Sequence, residues 1–505
     1  MRDVSPSELQ ALGERFGIDV DDRRAPDLAE TVNGMLEDLD ALDALSLTDV
    51  APSPTGIPPG GRTWSAPDDD PHNAVSVACH VPPGTERDDA PLTGTTVGVK
   101  DVIAVGGVPM RCGSAVMRGF VPATDATSVD RLRAAGATIT AKTNCDEFAG
   151  SARGTTGYGP PITNPRDPER TAGGSSGGSA VAVATGRVDV ALGTDTGGSV
   201  RIPAAFCGVV GLKPTYGLVP LTGVVENTYT QDHVGTFTES VREAAALLDA
   251  LAGPDDADPA SLQAVGRGGT PENYTAAVAD SPPASDLRLG LLAEGVGDGV
   301  ADRTVARTEA AVDRLSDAGA TVREVSVEGY EAARPIKNAL SFVELATHWR
   351  DGAAPYRRGG VDEGYQAAFA RQTRAGSGEL DDFYASKLLA GARVVEAHDG
   401  RHYVRAQAAR DALADRFAEA LDGLDALLCP TMPDVAPPVE EADDWAYDYA
   451  RNTRPANVTR LPAVSLPVAP EGETGLPVGL QLVGGAFEDA DLLGAAAAVE
   501  SALAA

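Results

Sequence analysis

A serine preceded by two glycines is the first feature of the sequence that could do chemistry. Ser199 lies in the segment GTDTGGSVR, residues 193–201. Paired glycines allow backbone torsions that direct several N–H groups toward one point. Such convergent donors suit the oxyanion that forms when a nucleophile attacks a carbonyl. The segment therefore indicates an oxyanion hole beside a nucleophilic serine.

A second glycine-rich segment, GGSSGGS, occupies residues 173–179 and places Ser175 next to Ser176. It lacks the Lys-Ser/Thr pair of a phosphate-binding loop and the spacing of a dinucleotide-binding fingerprint. Two interpretations stay open. The segment presents hydroxyls on a backbone that can take unusual torsions, or it is simply a flexible turn. The residues alone favour the turn.

A serine hydroxyl is weakly nucleophilic and needs a base. Among six histidines, only His233, in QDHVG, is a candidate, and a structural histidine is the better interpretation. Lys100 ends the apolar segment VGVKD, where a lysine would be largely buried. Burial disfavours the ammonium form, and a neutral lysine can act as a general base. Pairing with Asp101 is an equally good reading of this segment alone.

Several segments together resemble the amidase signature family of serine hydrolases, over residues 80–505. The defining match joins GGSSGGS at 173–179 to ALGTDTGGSVRIPAAFCGVVGLKPTYG at 191–217. GVKD at 98–101, TNCDEFAGS at 143–151, LLCPTMP at 427–433 and GLPVGLQLVG at 475–484 agree with it. This resemblance implies a single large mixed β-sheet covered by helices on both faces.

The resemblance also implies a Ser-cisSer-Lys triad. By motif, Ser199 is the acyl-forming nucleophile and Lys100 is the base. Ser175 is the bridging serine, preceded by a cis peptide bond, and it lies against the substrate. Protons would pass from Ser199 through Ser175 to neutral Lys100, and then to the leaving ammonia or amine. The enzyme would be an amidase that hydrolyses linear amide C–N bonds and needs no metal and no cofactor.

The remaining site residues follow from the same segments. Asp195 and Arg201 flank the nucleophile and would hold its loop, although a surface ion pair is an equal alternative. Ala149 lies where the family places part of the acyl pocket. The main-chain N–H groups that would hold the oxyanion belong to Thr196, Gly197, Gly198 and Ser199. The residues that decide which acyl group fits are expected within 330–400 and 440–460.

Two branches of the family compete for this chain. Free-standing amidases, including those associated with nitrile hydratase, share an N-terminal helical region and the segments MRCGS at 110–114 and DHVG at 232–235. The alternative is the glutaminase (A) component of an aspartyl/glutamyl-tRNA amidotransferase, which works with partner subunits. That component has an aspartate for the α-amino group of glutamine, where this chain has Ala450, with Asp448 two positions upstream. The sequence favours the free amidase.

A third alternative is a catalytically inactive, amidase-like binding protein. It is disfavoured because all three triad residues are present. The expected partner of the enzyme is a small-molecule amide, and a homodimer is one assembly that the resemblance allows.

Two segments precede the α/β region, residues 76–505, that positions these residues. Residues 1–50 are predicted to form a helical extension, opened by a capping box at Ser5 and Glu8. Its role is either an interaction module or a brace. Residues 51–75 contain six prolines and three glycines and are predicted to be a linker without helix or strand. From residue 76 to 505, short β-like runs alternate with helical ones, which is typical of an α/β sheet.

The charge composition limits which macromolecules can bind this protein directly. The chain has 505 residues, 41 Lys+Arg against 74 Asp+Glu, and a net charge of −33. Nucleic acid and anionic membranes need a basic footprint, so neither is expected as a direct partner. Only five of the 41 basic residues are lysines, which either a halophilic protein or the codon bias of a high-GC genome would explain. The net charge of −33 favours the halophilic protein, because codon bias does not account for it. Five cysteines without metal-ligand spacing, and no apolar region after Met1, predict a cytoplasmic protein with reduced thiols.

Overall fold

The computed structural model describes residues 4–43, 61–85, 87–353, 363–376, 379–398, 400–468 and 475–504. It divides into two compact units, Met1–Pro58 and Pro59–Ala505. In the first unit, helix α1 (Pro6–Phe16) is followed by α2 (Ala25–Asp43). The predicted capping box is present, because the Ser5 hydroxyl accepts from the N–H of Glu8 while the Glu8 carboxylate accepts from the N–H of Ser5.

The second unit is built on one mixed sheet of 12 strands, which confirms the predicted fold class. Their order across the sheet is β1-β2-β4-β3-β7-β9-β8-β13-β14-β12-β10-β11, and β5 pairs separately with β6. The strands are β1 (Thr63–Ser65), β2 (Val75–Val81), β3 (Thr96–Lys100), β4 (Thr138–Thr143), β5 (Thr163–Asn164), β6 (Asp167–Thr171), β7 (Val190–Asp195), β8 (Val210–Lys213), β9 (His233–Thr238), β10 (Arg288–Leu292), β11 (Thr321–Val325), β12 (Ala426–Pro430), β13 (Ala463–Val468) and β14 (Val478–Val483).

Helices flank this sheet, because strands buried on both faces must be covered on both. They are α3 (Thr127–Ala134), α4 (Gly177–Ala184), α5 (Arg201–Cys207), α6 (Val241–Leu251), α7 (Pro259–Val265), α8 (Tyr274–Ala279), α9 (Asp302–Asp317), α10 (Ala333–Arg350), α11 (Glu363–Gly376), α12 (Asp382–His398), α13 (Arg401–Leu421), α14 (Arg454–Val458) and α15 (Asp489–Ala504). No helix in these ranges is both long and apolar enough to span a bilayer.

Two neighbouring parallel strands position the candidate site. Strand β3 lies beside β7, with Val99 opposite Leu192, and every residue of β7 is buried. Since parallel strands end at the same edge of a sheet, Lys100 at the end of β3 meets the last residues of β7. The chain then turns into the segment that holds Ser199. The sheet therefore joins two segments that are 99 residues apart in the sequence.

One boundary differs from the prediction. Residues 51–60 lie outside the described part of the chain, but Thr63–Ser65, within the predicted linker, form β1 and pair antiparallel with Ala78–His80 of β2. All three β1 residues are exposed, so hydrogen bonding to β2 rather than burial defines this edge strand. A search for apolar alternation could not find it. All five cysteines are free thiols, as expected.

Candidate active site

The Lys100 side chain is fully buried and reaches two hydroxyls. Its Nζ lies 2.7 Å from Ser175 Oγ and 2.8 Å from Thr194 Oγ1. Burial lowers the pKa of Lys100 to about 8, against the opposing effect of Cys145 and of the surrounding carboxylates. A lysine in this state gives up its proton near neutral pH, as a general base must.

Asp101, the alternative partner of Lys100, is occupied elsewhere. Its carboxylate lies 3.4 Å from Nζ of Lys142, and this pair is also buried. Lys142 further donates to the carbonyls of Lys100 and Ile103. The ion-pair interpretation of the VGVKD segment therefore applies to Lys142, whereas Lys100 has no carboxylate within ion-pair distance in the described ranges.

The GGSSGGS segment is an ordered turn that leads into helix α4. Its adjacent serines, Ser175 and Ser176, contact different partners. The Gly174–Ser175 peptide bond is cis. The Ser176 hydroxyl donates to the Thr194 carbonyl at 3.1 Å and accepts from the Thr194 N–H, which fixes the turn on β7. A Cβ on Gly174 would lie 1.9 Å from a carboxylate oxygen of Asp146, so only glycine fits there. The flexible-turn interpretation is wrong, because backbone and side-chain bonds hold both serines.

Ser199 lies in the turn after β7. Not all backbone N–H groups of this turn are free to bind an oxyanion. Gly198, at φ +126°, donates its N–H to Asp195 at 2.8 Å. This is a correction to the predicted oxyanion hole, since the N–H of Gly198 is engaged by the carboxylate that shapes the turn. Thr196, Gly197 and Ser199 face a cavity, and Gly198 is not among the residues that line it.

Asp195 and Arg201 form a buried ion pair, so a surface pair is excluded. Both side chains have no exposed area, and two guanidinium nitrogens lie 2.9 and 3.0 Å from the carboxylate. Burial opposes ionisation of Asp195, but Arg201 outweighs it and holds the pKa of this carboxyl below its usual range. The same guanidinium binds Thr453, Gln481 and Asn457. The nucleophile turn is therefore anchored to strand β14, which contains Gln481, and to helix α14 with its preceding residue Thr453.

Two further groups that sequence reasoning missed hold the walls of the site. The Asp232 carboxylate accepts from the Thr196 hydroxyl at 2.7 Å. The Asn227 amide donates to the carbonyls of Phe148 and Ala149, at 3.1 and 2.7 Å. Phe148 and Ala149 both have positive φ, 45° and 56°, a strained conformation for these residue types. Asn227 therefore secures the strained segment that contains the predicted acyl-pocket residue.

A cavity of about 600 Å³ opens at Ser199. Its wall includes Ala149, as predicted, and residues from both segments that were expected to decide the acyl group. Ser175 is not among the lining residues and has no exposed area. The Ser175 hydroxyl contacts Lys100, and its contact with substrate stays a prediction. Aromatic side chains supply much of the apolar wall: Phe342, Phe383, Trp445, Tyr447 and Tyr449.

His233 is a structural histidine, as interpreted from the sequence. Its Nδ1 lies 2.7 Å from the Gln231 carbonyl and 3.1 Å from the Asp195 carbonyl. Burial lowers its pKa well below the usual value. In the described ranges, no group of three or more His, Cys, Asp or Glu side chains is arranged to hold a metal ion.

Comparison with known proteins identifies the family. The family model named Amidase matches residues 71–493. The A component of glutamyl-tRNA(Gln) amidotransferase from Halobacterium salinarum is 42% identical over 419 residues, which cover 82% of this chain and 96% of that protein. The native peptide amidase of Stenotrophomonas maltophilia superposes with a TM-score of 0.69 at 33% identity, covering 82% of this chain and 84% of that one. The A component of the same amidotransferase from Thermotoga maritima gives 0.67 at 31% identity, with coverage of 80% and 82%.

Proposed function

The chain belongs to the amidase family, and from this premise we propose that it hydrolyses a carboxamide to a carboxylate and ammonia through an acyl-enzyme on Ser199. The family acts on amide C–N bonds, which makes this chain an enzyme rather than an inactive binding protein. The observation that supports the proposed mechanism best is the 2.7 Å contact between Lys100 Nζ and Ser175 Oγ, behind a cavity lined by Ser199.

In the proposed reaction, neutral Lys100 accepts the proton of Ser175, which accepts the proton of Ser199. The Ser199 oxygen bonds to the amide carbon, and the C–N bond breaks as the relayed proton moves to the leaving nitrogen. Ammonia departs, leaving an ester on Ser199. Water then attacks this ester, gives its proton to the same relay and releases the carboxylate. The proton balance is restored when Ser199 regains its hydrogen.

The oxyanion is assigned to the N–H groups of Thr196, Gly197 and Ser199. These residues line the cavity, whereas the N–H of Gly198 donates to Asp195. Asp195 and Arg201 are positioning residues in this scheme. Their buried ion pair keeps the donors aimed at one point before substrate arrives, so no reorganisation is needed during the reaction.

A free-standing amidase is favoured over a glutaminase subunit by the state of Asp448. Glutamine would need a carboxylate for its α-amino group, and Ala450 occupies the position that the resemblance gives to that aspartate. Asp448 does not replace it, because both of its oxygens lie 2.7–2.9 Å from Arg454 and one lies 3.9 Å from Arg334. A carboxylate already paired with two guanidiniums is a poor acceptor for a third cation.

The glutaminase component of an amidotransferase remains the second candidate because of the 42% identity to the Halobacterium salinarum protein. Under that candidate the chain would require partner subunits. Under the free-amidase proposal it works in the cytoplasm without them, alone or as a homodimer. Size-exclusion chromatography of the purified chain and its turnover of amides without other proteins separate the two assemblies.

The test is ammonia release from a panel of primary amides and glutamine, in buffer containing about 1 M KCl. Ser199→Ala is the matched control, and a fluorophosphonate reports the reactive serine directly. We expect turnover of simple amides, little turnover of glutamine, and no labelling of Ser199→Ala. Glutamine as the sole substrate would support the amidotransferase component instead. Wild-type turnover by Ser199→Ala would refute the proposed nucleophile.

A further inference from the structure

The cavity at Ser199 has an unusual electrostatic character for a protein of net charge −33. It is lined by two carboxylates, Asp443 and Asp448, but by five cationic side chains: Arg153, Arg334, Lys337, Lys387 and Arg454. Two of the five lysines in the whole sequence lie here. The protein surface is dominated by acid, yet the space in front of the nucleophile has an excess of positive groups.

Each of the three arginines pairs with a carboxylate of the cavity, whereas neither lysine does in the described part of the chain. Asp448 pairs with Arg454 and Arg334, and Asp443 lies 3.1 Å from Arg153. These pairs leave neither carboxylate free to repel an anion. Lys387 donates to the Gly150 carbonyl at 2.7 Å.

Lys337 differs from the other cations of the cavity. Across the ranges that the structure describes, it has neither a hydrogen-bond acceptor nor a carboxylate within ion-pair distance. Its side chain is only partly exposed, and an ammonium that has lost part of its hydration is costly unless another group compensates it. Burial, with the nearby charges of Lys387 and Arg454, outweighs the opposing effect of the Asp448 and Asp232 carboxylates and lowers the pKa of Lys337 well below its usual value. An anion bound beside Lys337 would therefore stabilise its ammonium form.

Lys337 also lies where the acyl part of a substrate would be held. It is on helix α10, and its Cε would be 3.7 Å from a Cβ built on Gly197. Gly197 precedes Ser199 by two residues and is among the proposed oxyanion donors. An anion bound at Lys337 therefore lies in the same cavity as Ser199, on the side of Gly197.

We propose that Lys337 binds a carboxylate on the acyl part of the substrate, so that the preferred substrates are half-amides of dicarboxylic acids that lack the α-amino group of glutamine, for which Asp448 is already occupied by Arg454. This inference rests on the amidase function proposed above. A carboxylate supplies the missing partner of Lys337 in a charge-assisted hydrogen bond. A neutral amide of the same length leaves the ammonium unpaired and is selected against.

The test compares two substrates that differ only at the end far from the amide, glutaramate and pentanamide. For the wild-type enzyme, kcat/KM for glutaramate should exceed that for pentanamide by at least about tenfold, which corresponds to about 1.4 kcal/mol. Lys337→Met should lower this ratio by a similar factor, mainly through KM for glutaramate, and Lys337→Arg should restore part of it. Lys387→Met is the control for loss of one cavity cation, and it should change the ratio by no more than about threefold.

A binding measurement separates this proposal from the proposed chemistry. In the Ser199→Ala background, glutarate should bind at least about tenfold more tightly than pentanoate by calorimetry, and Lys337→Met should abolish the difference. Equal binding of the two acids, or equal loss of the ratio in Lys337→Met and Lys387→Met, overturns the role of Lys337. If glutarate is selected in this way while no amide is turned over, the anion site stands and the amidase function fails.

Discussion

Replacing Lys100 by methionine should stabilise the fold near neutral pH while it removes the proposed base. Methionine is unbranched, similar in length and uncharged. Burial lowers the pKa of Lys100 to about 8 from 10.5. One pKa unit corresponds to about 1.4 kcal/mol, so the buried ammonium costs the folded protein about 3 kcal/mol below pH 8.

Lost hydrogen bonds offset part of this gain. The variant leaves Ser175 and Thr194 without the lysine that now contacts both. Each such bond contributes about 1 kcal/mol. At pH 7 the variant should therefore be more stable than the wild type by about 1 kcal/mol, and near pH 10.5 it should be less stable by about 2 kcal/mol.

The pH dependence isolates the lysine from these bonds. Between pH 8 and 10.5 the unfolded chain holds a proton that folded Lys100 has released. The unfolding free energy of the wild type therefore rises with pH across this window, and this contribution is absent from Lys100→Met. Other buried lysines titrate in both proteins and cancel in the difference.

The assay is urea unfolding of both proteins from pH 7 to 10 at one KCl concentration. Lys142→Met is the matched control, because it leaves Asp101 buried without its partner and should destabilise by about 3–5 kcal/mol. Parallel pH curves for wild type and Lys100→Met would show that Lys100 is not held neutral by the fold, and the proposed relay would lose its starting point.

Three further outcomes are expected. Ser175→Ala should lower kcat/KM by several orders of magnitude in a steady-state ammonia assay while the far-ultraviolet spectrum is unchanged, since the three residues act as one unit. Because Lys100 must be neutral to accept a proton, kcat/KM should fall about tenfold per pH unit below pH 8; a profile flat down to about pH 6 would exclude a lysine base. With a charge of −33, both Tm and total activity should rise as KCl increases to about 1 M, where the Debye length is about 3 Å. Activity per titrated site should stay nearly constant across that series, and full stability at low salt would contradict the halophilic interpretation.

The sequence predicted the nucleophile segment better than its surroundings. Paired glycines before Ser199 marked a turn with convergent N–H groups by local rules alone. Which of those groups is free depends on Asp195, whose carboxylate folds back onto Gly198. The two residues are only three positions apart in the sequence. Their types do not say whether the Asp195 carboxylate points into the turn or away from it.

The partnership of Lys100 and Ser175 could not be derived from spacing. The two residues are 75 positions apart and meet because β3 lies beside β7, to which Ser176 fixes the turn that contains Ser175. The contact between Lys100 and Ser175 was predicted only from the resemblance to a family. The residues alone made Asp101 an equally good partner for Lys100. The order of strands in a sheet depends on the whole chain, so it cannot be predicted from short segments.

Lys337 escaped prediction for a different reason. A lysine in the middle of a long helix is typical of a solvent-facing position, and α10 has polar residues on several sides. Its role follows from what packs around it, since the neighbouring cations and the paired carboxylates come from distant segments.

The guanidinium of Arg201 also sets an order of events during synthesis. It binds Asp195 nearby, but its other partners are at Thr453, Asn457 and Gln481, which the ribosome adds 252 to 280 residues later. Until those residues emerge, the Arg201 guanidinium has only its two hydrogen bonds to Asp195. A nascent chain therefore contains its nucleophile long before the nucleophile can be aimed, and a ribosome that stalls before Thr453 releases a product without hydrolytic activity.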